Sequence, residues 1–270
     1  MINEIFFPER RVAGSLRRSL SIQARVVWAL VLREILTRYG RHNIGFSWLF
    51  VEPMMFTAGV TILWSFLHAT FALPVIAFTV TGYSTILLWR NGVNRCALAI
   101  EPNRNLLFHR NVKVIDFFFS RLVLEISGAT VSFVVIAGTL MFMGLMAPPA
   151  DILLMLCGWS MLAWFCLGLG LMVGAMSEYS EAIDRLWHTC TYLMLPFSGL
   201  FYMVEWLPTY LHEWAMWVPM INASEMIRGG YFGELVTPHY DIGNFALVNL
   251  VLTFLGLIMV RGAAKRVEGA

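Results

Sequence analysis

The sequence predicts an all-α, polytopic membrane protein. Of its 270 residues 59% are hydrophobic and 13% charged, about half the ~25% charged residues of soluble domains. Mean hydropathy is +0.70. Six apolar runs approach or exceed the ~20 residues a helix needs to cross ~30 Å of hydrocarbon. The basic residues gather on one side of those runs, as the positive-inside rule requires of loops facing the cytoplasm.

Residues 1–53 read as a cytoplasmic, amphipathic interface segment. Its arginines include Arg10, Arg11, Arg17, Arg18 and Arg25, and Leu16, Leu20, Val27, Leu30 and Val31 recur at helical spacing. Such a helix is expected to lie in the headgroup layer with its arginines toward anionic lipid. The first apolar patch, Ile5-Phe6-Phe7, is too short for the apolar core of a signal peptide, so the spans themselves are expected to direct insertion. Trp48 suits the headgroup layer, and Pro53 suits the first turn of the span that follows.

The spans are expected at 54–73, 75–98, 117–146, 152–176, 186–204 and 242–260, with a cytoplasmic tail at 261–270. Residues 1–53 carry eight arginines, Arg90 to Arg121 five arginines and Lys113, and Arg185, Arg261, Lys265 and Arg266 complete the same side. Of 19 basic residues only Arg228 falls on the other, which puts both termini in the cytoplasm. Span two carries Arg90, Asn91, Asn94 and Arg95 on one arc of about 140° at 100° per residue, with Tyr83 and Glu101 on the same face. That stripe is expected to face protein or water.

Residues 101–115 form the longest internal cytoplasmic connection. After Glu101-Pro102 comes Leu106-Leu107-Phe108 and a basic patch of His109, Arg110 and Lys113. Three large apolar residues in an exposed loop suit a docking partner. In span three Arg121 and Glu125 stand at i, i+4 and are expected to neutralise each other. In span four Gly168, Gly170 and Gly174 allow close helix approach. Span five holds Pro196, Ser198 and Gly199 and is expected to kink in its outer half.

Residues 205–241 face outside. Pro208 is expected to open one short helix with Leu211, Trp214 and Val218. Asn222 and Glu225, at capping-box spacing, are expected to open a second that Gly229-Gly230 stops. Both are expected to be amphipathic and to dip into the membrane as re-entrant helices.

No Gly-x-x-x-x-Gly-Lys-Ser/Thr loop, His-Glu-x-x-His or Gly-x-Ser-x-Gly occurs. The histidines are scattered, and Cys96, Cys157, Cys166 and Cys190 lie in or beside apolar runs as small hydrophobes. No catalytic residue, metal site or nucleic-acid surface is expected. Two classes fit: a transport permease powered by a separate ATPase, and a membrane-bound glycan or lipid transferase. The enzyme requires converging acids or metal ligands in an aqueous loop, which the sequence lacks. The permease requires a cytoplasmic docking element and an apolar external gate, and both are visible.

Arg33-Glu34 with Arg38-Tyr39, then Gly45, Trp48 and Pro53, resemble the N-terminal segment of type-two ABC exporter permeases. The stretches from Ala99 to Phe108 and from Asn222 to Tyr231-Phe232 extend the resemblance over nearly the whole chain. Within that family it is most similar to the capsular-polysaccharide export permeases of Gram-negative bacteria.

The resemblance implies a homodimer in the bacterial inner membrane, paired with ATP-binding-cassette ATPase subunits. It implies export of lipid-linked capsular polysaccharide toward periplasmic and outer-membrane partners, with O-antigen or teichoic acid as alternative cargo. ATP and Mg²⁺ would be held by the ATPase, and no cofactor by this chain. The region 101–115 would be the coupling helix seated in the ATPase, through Leu106, Leu107 and Phe108 with Arg33 and Glu34. Trp206, Trp214, Trp217 and Arg228 would form the external gate. For a sugar cargo, whose apolar C–H faces pack on aromatic rings, the expected path residues are Trp64, Phe66, Tyr192, Phe197 and Tyr202. Arg90 and Arg95 are expected to meet an anionic group of the cargo, because a guanidinium suits bidentate binding of phosphate or carboxylate.

Overall fold

A computed structural model describes residues 16–39, 43–67, 73–108 and 111–268, and contains no strand among them. The helices are α1 (Leu16–Tyr39), α2 (Asn43–Leu67), α3 (Val75–Cys96), α4 (Val114–Phe142), α5 (Ile152–Ser177), α6 (Glu181–Met194), α7 (Thr209–Ala215), α8 (Pro219–Phe232) and α9 (Ile242–Glu268). Short 3-10 segments cover Glu101–Phe108, Pro196–Ser198, Val204–Trp206 and Gly233–Leu235.

Side-chain contacts fix the helix directions. On α3 and α5, Gly92 abuts Cys166 and Cys96 abuts Gly170 and Gly174. On α5 and α9, Met161 pairs with Asn249 and Gly168 with Thr253. So α3, α5 and α9 run the same way, and α4 runs against them, with Phe118 on Gly174 and Phe133 stacked on Trp159. One end of the bundle gathers residues 97–108 and 111–113, the Glu178–Ser180 connection, α1 and the end of α9. The other gathers 143–151, 199–218 and 233–241.

Glycine makes the close approaches possible. A Cβ on Gly168 would lie 3.0 Å from the Thr253 amide, and one on Gly170 3.0 Å from Cys96 Sγ. The small residues of α5 thus serve packing within the chain, toward α9 on one side and α3 and α4 on the other. Fifteen residues of α3 are buried, and it touches α2, α4, α5, α6 and α8; α3 is the bundle's central helix.

Three described helices are long and apolar enough to cross a bilayer: α4, α5 and α9. The others depart from the expected spans for physical reasons. The second helix begins at Asn43, so Pro53 lies inside it rather than in its first turn. The side chains of Arg38, Tyr39, Trp48 and Pro53, and those of His109 and Arg110, lie outside the described residues. The third helix stops at Cys96, followed by Leu98 at φ +51°, whose N–H donates to Ser177 Oγ at 3.0 Å.

The fifth expected span is shorter than its apolar run. Helix α6 ends at Met194, about 21 Å long at 1.5 Å per residue. Pro196, which has no N–H to donate, begins a tight turn there. Gly199 then takes φ +73°. The last helix continues as one piece through Glu268 where a separate tail was expected, with Ala263 and Val267 buried.

The expected interface helix packs one side on protein. Val27, Val31 and Ile35 of α1 meet Leu124 of α4, whereas Leu20 and Trp28 stay exposed. The largest correction concerns α8. Pro219, not Asn222, opens it, in keeping with proline's fit to the first helical position. It runs past Gly229-Gly230 to Phe232 and stops at Gly233, φ +56°. All fourteen of its residues are buried, so it is a core helix rather than an amphipathic one.

Candidate functional site

At the end of the bundle that holds α1, the residues expected to serve coupling are tied to their own chain. Arg33 donates to Asn103 Oδ1, and Asn103 Nδ2 donates back to the Ala99 carbonyl at 2.9 Å. Glu34 lies 3.5 Å from Arg121 Nε, and Arg121 Nη1 donates to the Arg95 carbonyl at 2.7 Å. Further along α1, Gln23 donates to Asp116. The first helix is thereby joined to the 101–108 segment and to α4. Leu107 packs against the main core, Leu106 is half-buried, and Phe108 projects with 90% of its surface exposed. Just beyond α5, burial first and the Glu101 carboxylate second push the Glu178 carboxyl above its usual range, against the pull of Arg104 and Arg266.

The expected path residues divide. Arg90 and Tyr192 come together, the guanidinium carbon 4.6 Å from the ring centroid. Arg90 Nε is buried and has no hydrogen-bond partner among the described residues. One turn on, Trp187 Nε1 donates to Asn94 Oδ1 at 2.8 Å and docks α6 on α3. Arg95 is placed differently: its Nε lies 3.5 Å from Glu125 Oε1. Trp64 stacks on Phe201 at 5.4 Å, a ring absent from the expected set. Phe66 and Phe197 are exposed, and Tyr202 is half-buried.

At the opposite end of the bundle, about two turns of α8 collect backbone groups from three places. Arg228, 0% exposed, lies over the Phe78 ring at 3.6 Å. Its Nη1 donates to the carbonyls of Gly199 at 2.6 Å and Tyr202 at 2.8 Å, and its Nη2 to that of Leu200 at 2.6 Å. A side chain on Gly82 would collide with this guanidinium. Glu225 accepts from the Val204 N–H at 2.8 Å and the His239 N–H at 2.9 Å. Asn222 donates to the Met216 carbonyl at 2.6 Å and accepts from the Asp241 N–H at 2.7 Å. Trp206 stacks on Phe78 at 5.5 Å, while Trp214 and Trp217 are exposed. Sequence reasoning read Asn222 and Glu225 only as a helix cap, because their partners are main-chain atoms that leave no mark in residue types, and passed over Gly82, whose place is set by the Arg228 guanidinium.

Among the described residues no three His, Cys, Asp or Glu side chains converge as metal ligands. No family model matches the chain. It is 44% identical over 256 residues to the capsule polysaccharide export inner-membrane protein CtrC of Neisseria meningitidis serogroup A, across 94% of this chain and 97% of that protein. The chain belongs to the family of capsule polysaccharide export inner-membrane proteins. A second family member, BexB of Haemophilus influenzae, is 41% identical over 254 residues, 93% of this chain and 96% of BexB. The polysialic acid transport protein KpsM of Escherichia coli is similar at 27% over 253 residues, 91% and 96% of the two chains. Members of this family are named for export, a transport role rather than an enzymatic one.

Proposed function

We propose that the chain is the membrane-spanning permease of a capsule polysaccharide exporter in the bacterial inner membrane. It moves a lipid-linked polysaccharide outward while a separate ATP-binding-cassette ATPase supplies the energy. The observation that carries this reading is similarity to named export proteins over nine-tenths of both chains.

The bundle supports the topology this requires. With α2, α3 and α6 taken as spans beside α4, α5 and α9, six crossings return the chain to the side where it began. Arg33, Arg104, Lys113, Arg121, Arg261, Lys265 and Arg266 lie toward one end and Arg228 toward the other, an arrangement that supports cytoplasmic termini under the positive-inside rule. Domain boundaries then follow function: residues 1–53 as the interface segment, 54–260 as the transmembrane unit and 261–270 as the tail. Phe108 is the residue of the 101–115 segment best placed to dock on the ATPase. Arg90 with Tyr192 is the best-supported part of the path, a cation and a ring on the α3–α6 face with an unused N–H. Arg95 is held by Glu125 and contributes to holding the inner ends of α3 and α4 together. Two copies of the chain would enclose the path, with the exposed apolar faces of α2 and α6 available for lipid or the second copy.

The test is genetic and biochemical. Deleting the chain should abolish surface capsule while polymer accumulates inside, and the tagged chain should co-purify with an ATPase that hydrolyses ATP in the complex. Surface capsule at the normal level in the deletion strain would overturn the reading.

A further inference from the structure

Two histidines meet at the end of the bundle opposite α1. His212 of α7 and His239 of the 233–241 connection stand with ring centres 5.2 Å apart and planes tilted by 59°. Each ring is oriented by one backbone carbonyl: His212 Nε2 pairs with that of Leu207 at 2.9 Å, and His239 Nδ1 with that of Thr237 at 2.8 Å. A carbonyl only accepts, so those nitrogens carry the hydrogen. The neutral rings then keep bare lone pairs on His212 Nδ1 and His239 Nε2. Metal-binding histidines are arranged this way, the second ring N–H going to a carbonyl or carboxylate that fixes the ligating nitrogen. The spacing agrees. Zn–N bonds of about 2.0–2.1 Å at a tetrahedral ion hold two imidazole ring centres roughly 5 Å apart.

The surroundings favour a cation. Among the described residues, this end exposes the carboxylates of Asp151, Glu205, Glu213, Glu234 and Asp241. Its only arginine or lysine, Arg228, is buried and donates to carbonyls. A surface of one sign raises the local concentration of the opposite ion.

We propose that His212 and His239 form a two-histidine site for a divalent transition-metal ion, zinc by its tetrahedral spacing. No three His, Cys, Asp or Glu side chains converge among the described residues, so water completes the coordination. Imidazole suits Zn²⁺, whereas Mg²⁺ and Ca²⁺ take oxygen ligands. The bound ion links α7 to the connection that leads into α9, whose His239 N–H is already held by Glu225. The site stands on its own geometry and does not depend on the permease reading.

Calorimetric titration of Zn²⁺ into the purified, untagged chain in detergent tests it, with Mg²⁺ as the comparison ion. One Zn²⁺ per chain should bind, and Mg²⁺ should not. Loss of a second-shell partner alone costs about 10–100-fold in metal affinity, so His212→Gln and His239→Gln should each lose at least about tenfold. His188→Gln, which removes the His188–Asp184 pair, should bind as the unaltered chain does. So should a Cys157→Ser, Cys190→Ser chain, which lacks the exposed thiols. An unaltered chain that binds no Zn²⁺, or an affinity that survives both His212→Gln and His239→Gln, overturns the site and leaves an aromatic pair only. A second measurement needs no variant. Diethyl pyrocarbonate acylates free imidazole nitrogens, and Zn²⁺ should protect His212 and His239 while His188 stays reactive, read by peptide mass spectrometry. Equal modification of His212 and His239 with and without Zn²⁺ would overturn the proposal.

Discussion

Phe108 and Leu107 stand side by side in one 3-10 segment and should fail in opposite ways when truncated. Phe108 is 90% exposed, so Phe108→Ala removes almost no contact within the chain. Leu107 packs against the main core, so Leu107→Ala takes its loss from the folded chain itself. Fully burying one large apolar side chain contributes about 1.5–3 kcal/mol, so losing Phe108 from a docked interface weakens association roughly 10- to 150-fold. The assay is a titration of ATPase binding to the purified chain in nanodiscs, read beside its thermal unfolding. Phe108→Ala should shift binding and leave the melting temperature unchanged, whereas Leu107→Ala should lower the melting temperature. If Phe108→Ala bound the ATPase with unchanged affinity, the docking role drawn from its exposure would be wrong.

Gly168→Val should push α9 from α5, since even a Cβ there lies 3.0 Å from the Thr253 amide and 3.1 Å from Leu252 Cβ; overpacking of this kind costs about 1–3 kcal/mol and should appear as a lower melting temperature in detergent. Glu34→Gln should lower stability by about 1–3 kcal/mol, because it removes the carboxylate facing the largely buried Arg121 guanidinium; an unchanged unfolding curve would refute that pairing. For Glu178 the folded carboxyl titrates above its unfolded value, so the folded chain holds the proton more tightly. Its stability relative to Glu178→Gln is therefore retained below the ordinary glutamate value and lost as pH rises through the raised one. Melting temperatures of the two proteins should converge in acid and separate toward neutral pH, with Glu178→Gln the higher.

Much of the fold was legible because hydrophobic length is a local property. The runs that became α4, α5 and α9 are long and carry few charges, and the glycines of α5 announced a close-packed helix. Where polar residues interrupt a run, local reasoning lost the boundaries. Pro196 closes α6 early, and Pro53 is absorbed into α2 although proline favours a helix start. Asn222 and Glu225 have the spacing of a cap, yet Pro219 had already opened the helix and both side chains were free to reach other segments. Arg228 stood out as the lone basic residue of the outer side, but no residue pattern could say that carbonyls of Gly199, Leu200 and Tyr202 surround it. Arg90 and Tyr192 were both legible as members of a path, whereas Arg95 looked equivalent to Arg90 until α4 brought Glu125 beside it. The difference between those two arginines is tertiary.

The two ends of the bundle are held by different chemistry, and that difference has a mechanical consequence. At the inner end, side chain meets side chain: Glu34 with Arg121, Arg95 with Glu125, Arg33 with Asn103. Flexible side chains on separate helices can follow small shifts of those helices and exchange partners or water as they do. At the outer end, Arg228, Glu225 and Asn222 grip main-chain groups, whose positions are set by the fold and which have no rotamers to adjust. A displacement of α8 would leave buried carbonyls and N–H groups unpaired at about 1–3 kcal/mol each, whereas the long side chains that join α1 to α4 and to Asn103 can change rotamer as the helices shift and keep their partners. The joint between α1 and α4 therefore yields to small helix shifts, and the one around α8 resists them.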